Sequence, residues 1–284
     1  MTCQFNTKIF YPDRKTPNLW SSDPLSEYGF DAEKYSFHAQ GCSVTLSDDG
    51  KSYHIKSSTN TSSVVDLTFS RTAPGFVVGK NGTSTFGTDP KAPWGKMRHA
   101  FWPRCKVQGS IITKQGPIDL AGRGLFIHAL QGMKPHHAAA RWTFANFQSP
   151  TYSAISMEFT TPPSYGRTVV NVGGIATDDK IICAGSTNSV QHTASHDDPQ
   201  CHWPEPDAIT FKWSSADGSV EAELGGPMGE RWDRVDIMAE VPKFVKQIVA
   251  GAAGTKPYIY QVTLYCSFVD LVILLTHASV WSQA

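Results

Sequence analysis

Short windows in which apolar and polar residues alternate one by one recur along this 284-residue chain. Val65, Leu67 and Phe69 alternate with polar residues, and the same spacing returns at 155–159 and 209–213. A repeat of two places alternate side chains on opposite faces of a β-strand. Turn sequences such as DDGK at 48–51 and ADGS at 216–219 separate the windows. The pattern predicts an all-β fold of antiparallel meanders and excludes a parallel α/β fold, which would need intervening helices.

A helical repeat interrupts the β pattern near the C-terminus. In VPKFVKQIVAGAAG, apolar residues recur at intervals of three and four, and Pro242 stands in the first turn. The repeat predicts one short helix, with an apolar face made of Val241, Phe244, Val245, Ile248 and Val249.

The charge balance and the cysteines indicate which partners and which cellular compartment to expect. Lys and Arg number 25, as do Asp and Glu. Without a basic excess the chain has no field to hold phosphate groups, so nucleic acid is not an expected partner. The six cysteines form no C-x-x-C pair, and no secretory leader opens the sequence. We therefore expect free thiols in a reducing compartment.

Local motifs for catalysis, cofactors and metals are absent from the sequence. No G-x-S-x-G elbow and no G-x-G-x-x-G loop occurs. His136 and His137 are neighbours and would point to opposite faces of a strand. The spacing of His192, His196, Cys201 and His202, H-x₃-H-x₄-C-H, matches no standard zinc site. We expect no catalytic residue, no cofactor and no metal.

Several long strings resemble the fungal survival-factor family, the oxidative-stress survival proteins. They include APWGKMRHAFWPRC, DLAGRGLFIHALQGMKPHH, TTPPSYG, TVVNVGGIA and RVDIMAEVPKFVKQIVAGAAGTKPYIYQ, and the similarity runs from residue 2 to 261. The resemblance implies two lipocalin-like, calycin-type antiparallel barrels packed together. It also implies a non-enzymatic protein that binds ceramide or a similar sphingolipid and moves it from the endoplasmic reticulum to the Golgi.

The same resemblance implies a location and a domain plan. We expect a cytoplasmic protein with peripheral contact to endoplasmic reticulum and Golgi membranes, and the resemblance leaves the nucleus open as a second location. The resemblance also implies that the family's N-terminal amphipathic helix and opening strands would come before the first residue of this chain, so we expect weaker membrane contact and an incomplete first barrel. We predict a first domain at 1–104, a second at 105–261 and a divergent tail at 262–284.

The tail has two interpretations. Residues 258–281 are apolar with one formal charge, Asp270, and could form a membrane anchor. A charge near the middle of a span costs roughly 3 kcal/mol, and no basic cluster flanks the segment. The alternation at Val262, Leu264, Cys266 and Phe268 favours the other interpretation, an apolar strand that either continues the edge of the barrel or is left poorly packed.

A lipocalin-like barrel can bind lipid because its inward side chains need not fill its interior. The aromatic and flexible residues of the best-matching region predict the cavity wall, and Arg141 is a candidate for recognising the headgroup. The predicted ligand-binding residues are Arg141, Trp142, Phe144, Tyr152, Ile155 and Met157. The alternative for each wall residue is that it fills the core, and the alternative for Arg141 is that it closes one end of the barrel by stacking on a tryptophan.

An enzyme is the alternative, since paired lipocalin-like domains also occur in pericyclases and hydratases that act on apolar substrates. A catalytic group would then have to point into the cavity with a perturbed pKa. The candidates for that role are Asp119, His128 and Glu158.

Overall fold

The computed structural model describes residues 3–89, 91–133, 139–200, 202–236, 258–265 and 272–280. These residues form twenty strands and one 3₁₀ turn, Pro163–Tyr165, which confirms the all-β prediction. The predicted helix at 241–249 lies outside the described residues. The strands are β1 (Gln4–Ile9), β2 (Leu19–Pro24), β3 (Gly29–Phe30), β4 (Phe37–Ala39), β5 (Cys42–Leu46), β6 (Ser52–Ser57), β7 (Val64–Arg71), β8 (Phe76–Val77), β9 (Thr83–Phe86), β10 (Gly95–Thr113), β11 (Gly116–Gln131), β12 (Arg141–Gln148), β13 (Ser153–Thr160), β14 (Val169–Thr177), β15 (Lys180–Gly185), β16 (Ser189–Asp197), β17 (Pro204–Ser214), β18 (Glu221–Asp236), β19 (Tyr258–Tyr265) and β20 (Val272–Val280).

The predicted turns between strands are present. Gly50, Asn81 and Gly218 have positive φ angles of 66°, 55° and 70°, the left-handed conformation that tight turns require. The alternating windows are strands with a buried face: Ile155, Met157 and Phe159 are each at most 4% exposed. The turn residues and the alternation of apolar and polar side chains therefore determine where the strands begin and end.

The chain divides into two compact units, neither of which is one continuous stretch. Residues up to 72 and 104–126 form unit 1, and residues 73–103 and those from 127 onward form unit 2. Strands β10 and β11 each contribute residues to both units. The predicted domain limits at 104 and 261 stay a prediction.

Unit 1 contains an antiparallel sheet and a small hairpin. The sheet runs in the order β11-β10-β7-β6-β5-β4-β3, and the hairpin pairs β1 with β2. Val65, Leu67 and Ile111 form the buried core, and Phe5 and Ile9 of the hairpin pack against them. The hairpin therefore covers one face of the sheet.

A glycine is required at position 109, where β10 pairs with β7. It lies opposite Leu67 with φ at 126°, and a Cβ added there would overlap the carbonyl oxygen of Asp66 and come within 3.0 Å of Leu67 Cα. We expect Gly109→Ala to lower the free energy of unfolding by about 2–3 kcal/mol, because backbone strain and steric overlap add. Urea unfolding followed by circular dichroism measures this.

Gly116→Ala is the matched control. Gly116 also has a positive φ, 115°, but no atom lies within 4 Å of an added Cβ. We expect a cost of about 1 kcal/mol from the backbone conformation alone. Equal losses in the two variants would contradict the assigned overlap with Asp66.

Unit 2 is built on a nine-stranded antiparallel sheet, ordered β15-β14-β13-β12-β20-β19-β18-β17-β16. The sheet curls back on itself, since β13 near one edge contacts β16 and β17 at the other. The Val190 N–H donates to Glu158 Oε2 at 3.0 Å, and Trp213 Nε1 donates to the Ile155 carbonyl at 2.7 Å. The rolled sheet encloses an apolar core of Ala145, Ala154, Ile175, Cys183, Ile209, Phe211 and Trp213.

Residues 73–103 cover the outer face of the rolled sheet. The Phe86 ring lies 5.7 Å from the Phe159 ring, and Phe76 reaches the space beside Gly174. Phe76 in turn stacks on Phe101 at 4.9 Å. Strand β13 of unit 2 therefore has buried side chains on both faces.

The cysteines and the C-terminal strands complete the comparison with the sequence. Cys3, Cys42, Cys105 and Cys183 are not in disulfides, in agreement with the predicted thiols, and burial raises the pKa of Cys105 to about 12. Cys201 and Cys266 lie outside the described residues. Strand β19 confirms the strand interpretation for Val262 and Leu264, but its predicted edge position is wrong, because β19 pairs with β18 on one side and with β20 on the other. The part of the chain that the structure describes contains no helix that is both long and apolar enough to cross a membrane.

Candidate functional site

The interior of the rolled sheet combines an apolar wall with a polar patch. Val190, Leu224 and Met228 extend the apolar wall around the buried core of unit 2. On the neighbouring strands β12, β13 and β14, the residues directly opposite one another are Thr143, Glu158 and Asn171. Opposite residues of antiparallel strands share a face, so these three side chains lie on one side of the sheet. Polar groups therefore border the apolar interior.

Glu158 holds this patch together. Its Oε2 accepts hydrogen bonds from Asn171 Nδ2 at 3.2 Å and from the Val190 N–H at 3.0 Å. Two residues beyond Val190, His192 lies opposite Ile209, a residue of the core. The roll of the sheet thus brings His192 of β16 toward the polar residues of β13 and β14.

Three buried polar atoms of this region have no hydrogen-bond partner among the described residues. They are Asn171 Oδ1, Ser156 Oγ and His192 Nε2. A buried polar atom left without a partner costs about 1–3 kcal/mol, so such atoms are rare unless a ligand or water satisfies them. We call Ser156, Glu158, Asn171 and His192, together with the exposed Arg141 at their margin, the interior polar cluster.

The charges of the interior polar cluster balance. Burial, and then the positive charge of Arg141, lowers the pKa of His192 to about 4, so its imidazole is neutral near pH 7. Partial desolvation lowers the pKa of Arg141, although this residue is exposed, and the negative charge of Glu158 opposes that change. One positive guanidinium and one negative carboxylate leave no net charge. A neutral polar group that both donates and accepts hydrogen bonds fits this arrangement better than an ion.

The predicted ligand-binding residues fall on two faces of the sheet. Arg141 belongs to the same face as Glu158, by the strand alternation. Phe144 lies opposite Met157 and Trp142 opposite Phe159, on the other face. Trp142, Phe144, Ile155 and Met157 therefore share the outer face that residues 73–103 cover. Tyr152 lies in the turn between β12 and β13 and is 49% exposed. Their role in ligand binding stays a prediction.

The candidates for catalysis and metal binding are also separated. Asp119 and His128 are exposed, and only Glu158 reaches the interior. Within the described ranges, no three His, Cys, Asp or Glu side chains are grouped so that they could hold a metal ion. His136, His137 and Cys201 lie outside those ranges.

Sequence reasoning missed Ser156, Asn171 and His192 as a group. Each is an ordinary polar residue in an alternating strand, and their proximity depends on strand register and on the closure of the sheet. One signal was available in the sequence. Positions 156, 158 and 171 are polar although they lie on the face of β13 and β14 that is turned toward the apolar core.

Comparison with known proteins identifies close sequence relatives. The Svf1 family model matches residues 1–274. A ceramide-binding protein svf1 from Aspergillus fumigatus is 60% identical over 278 residues, which cover 97% of this chain and 70% of the relative. The ceramide-binding protein svf-1 of Neurospora crassa is 57% identical over 263 residues, covering 92% and 69%. The Schizosaccharomyces pombe protein of the same name is 44% identical over 265 residues, covering 92% and 70%.

Solved structures share the fold at low sequence identity. CghA, determined with Sch210972, has a TM-score of 0.58 at 11% identity, covering 97% of this chain and 78% of its own. Kievitone hydratase from Nectria haematococca has a TM-score of 0.51 at 10% identity, covering 98% and 83%. These likenesses confirm a lipocalin-like, calycin-type all-β fold.

Proposed function

Because this chain belongs to the Svf1 family, we propose that it binds ceramide and that the interior of the rolled sheet is the binding site. The relatives named as ceramide-binding proteins support the ligand. The interior polar cluster supports the location, because it presents unpartnered buried atoms beside an apolar wall.

The headgroup of ceramide has the chemistry that the interior polar cluster lacks. An amide N–H or a hydroxyl can donate to Asn171 Oδ1, and an amide carbonyl can accept from Arg141. Both the headgroup and the cluster are without net charge, so no ion has to be buried on binding. Ceramide should therefore bind more tightly than sphingosine, whose ammonium group would face Arg141.

The hydrocarbon chains supply most of the binding free energy. Each methylene removed from water contributes about 0.8 kcal/mol, so contact with Val190, Leu224 and Met228 favours a long chain. The polar cluster then selects the headgroup.

We propose carriage of ceramide as the biological role, in line with the sequence resemblance. A carrier from the endoplasmic reticulum to the Golgi would work from the cytoplasm with peripheral membrane contact, and loss of that traffic would impair survival under oxidative stress. Catalysis is the less favoured role, because only Glu158 of the three candidate residues reaches the interior, whereas Asp119 and His128 are exposed. The relatives' names support binding as the function.

Titration of the full chain with a fluorescent short-chain ceramide tests the site. We expect Arg141→Met to weaken binding about tenfold, because a hydrogen bond from a charged donor contributes about 1.5–3 kcal/mol. Methionine keeps an unbranched side chain about as long as the aliphatic part of arginine and removes the guanidinium. The same titration with sphingosine as competitor measures the preference for an uncharged headgroup.

Arg98→Met is the matched control and should bind like the unsubstituted chain, because Arg98 is also an exposed arginine of the same unit but lies on β10 opposite Thr83, away from Glu158 and His192. Equal ceramide affinity in Arg141→Met and Arg98→Met would show that the interior polar cluster is not part of the ceramide site. Absence of ceramide binding by the unsubstituted chain would overturn the proposed function itself.

A further inference from the structure

A concave site lies on the outer face of the rolled sheet. It is a cleft of about 700 Å³, within the range of about 300–1,000 Å³ typical of small-molecule sites. Phe86, Trp94, Tyr165 and Val170 line it, together with the hydroxyl residues Ser164 and Thr168. We call it the aromatic cleft. Val170 and Asn171 are neighbours on β14 and point to opposite faces, so the aromatic cleft is separate from the interior polar cluster.

The apolar part of the aromatic cleft is one continuous row of rings. The Trp94 ring lies 4.2 Å from Tyr165 and 5.4 Å from Phe86. Phe86 is 4% exposed and continues to the buried Phe159, whereas Trp94 is 37% exposed at the open side. A single row of rings offers contact along one hydrocarbon chain.

Backbone contacts fix both sides of the aromatic cleft. On one side, the Trp94 N–H donates to the Phe86 carbonyl at 2.8 Å. On the other, buried Thr161 holds the turn that carries Tyr165: its hydroxyl donates to the Tyr165 carbonyl at 2.9 Å and accepts from the Thr168 N–H at 2.8 Å. A preformed site loses little conformational entropy when a ligand binds.

Gly87 brings the two parts of this wall together. Its φ of 135° is a conformation that favours glycine, and an added Cβ would lie 3.2 Å from Trp94 Cδ1. The close approach lets the indole ring lean over the backbone at the end of β9. The position of Trp94 is therefore built into the local structure.

The polar part of the aromatic cleft is uncharged. None of the described residues that line it is acidic or basic, and its polar side chains are the hydroxyl groups of threonine and serine, with the Tyr165 phenol. Such a lining has no counter-charge for a carboxylate or an ammonium group, and burial of an unpaired ion is costly. Hydroxyl groups can both donate to and accept from a neutral headgroup.

We propose that the aromatic cleft binds a second ligand, a neutral amphiphile with one hydrocarbon chain, such as a monoacylglycerol or a long-chain alcohol. The chain lies along Phe86, Trp94 and Tyr165, and the hydroxyl head contacts Ser164 and Thr168. The single row of rings sets the number of chains, and the uncharged lining sets the class of headgroup. The site is independent of the ceramide site on the other face.

Calorimetric titration of the full chain with monododecanoylglycerol, below its critical micelle concentration, tests this proposal. We expect one molecule bound per chain, and binding of dodecanoate and dodecylamine at least tenfold weaker. Trp94→Ala should weaken binding of monododecanoylglycerol at least tenfold. Ser164→Trp, at an exposed position, should fill the aromatic cleft and give the same loss if Trp94→Ala fails to fold.

The controls separate this site from the ceramide site. Trp20→Ala removes a tryptophan that is 46% exposed in unit 1 and should leave binding of monododecanoylglycerol unchanged. Trp94→Ala should leave the titration with fluorescent ceramide unchanged. Unchanged binding of monododecanoylglycerol in both cleft variants, or equal affinity for dodecanoate, would overturn the proposal and leave the ceramide assignment intact.

Discussion

Replacement of Trp213 by alanine is expected to lower the free energy of unfolding by about 3–5 kcal/mol, the range for truncation of a buried aromatic residue. Trp213 is 2% exposed and belongs to the core of unit 2. Its Nε1 also donates to the Ile155 carbonyl at 2.7 Å, which ties β17 to β13 across the roll. The substitution therefore leaves a cavity and removes a bond that holds the sheet in its curled form. Urea unfolding followed by far-ultraviolet circular dichroism measures the loss.

Trp213→Phe separates packing from hydrogen bonding. Phenylalanine keeps most of the ring and removes the donor, so the cost should be about 1–3 kcal/mol. Trp20→Ala, at a half-exposed position in unit 1, should cost less than about 1 kcal/mol. A loss below 1 kcal/mol for Trp213→Ala would show that the roll does not depend on this residue.

A loss of about 3 kcal/mol is expected for Asp198→Ala, because removal of the buried carboxylate takes an ion-pair partner from Arg234 and Arg231, whose side chains are partly buried. Asp198 is fully buried. Its carboxylate accepts from Arg234 Nη1 at 3.0 Å and from Arg231 Nη1 at 3.4 Å. Arg231 also contacts Glu205, a second buried carboxylate. Two guanidinium groups would lose their shared partner, and the same urea titration measures the cost.

The pH dependence gives a second measurement at the same residue. Burial alone would raise the pKa of Asp198, but the Gln200 N–H and the Arg234 guanidinium lower it to about 2, below the ordinary 3.8. A carboxylate with a depressed pKa stabilises the fold above its unfolded pKa, and this contribution disappears as pH falls through the folded pKa. The free energy of unfolding of the unsubstituted chain should therefore fall between pH 4 and pH 2. Asp198→Asn should flatten that part of the profile.

Asp217→Asn is the matched control for the buried carboxylate. Hydrogen bonds from Ser215 and Ser219 lower the pKa of Asp217 to about 2 as well, but this carboxylate is exposed in a turn. Solvent screening makes such exposed interactions weak, so the unfolding profile should change little. Similar profiles for Asp198→Asn and Asp217→Asn would contradict the role assigned to the buried ion pairs.

Much of the fold could be predicted from the sequence because strand formation is local. Alternation at Ile155, Met157 and Phe159 is enough to indicate a strand with a buried face, and the structure places these residues on β13. Alternation also restricts which residues can line the same cavity. Arg141 and Trp142 are neighbours on one strand, so their side chains point to opposite faces of the sheet. Applied at the start, alternation alone would have divided the predicted ligand-binding residues into two faces.

The candidate sites could not be predicted in this way because they depend on contacts between distant strands. Glu158 meets the Val190 backbone across 32 residues of sequence, and Trp213 meets Ile155 across 58. Alternation does not say which strands become neighbours when a sheet closes. The pairing of Trp94 with Tyr165 is equally remote in sequence, although each residue belongs to a string that resembles the survival-factor family.

The course of β10 has a consequence for synthesis and dissection of the protein. Unit 1 needs residues 104–126, which leave the ribosome only after 73–103, a segment that unit 2 needs. During translation, unit 1 therefore cannot be completed until residues 73–103, which belong to unit 2, have been synthesised. Until then its unpaired strand edges are exposed and can pair incorrectly. No single cleavage of the peptide chain releases either unit intact. Expressing the chain as two fragments divided at residue 104 would cut strand β10 and leave each unit without part of its structure.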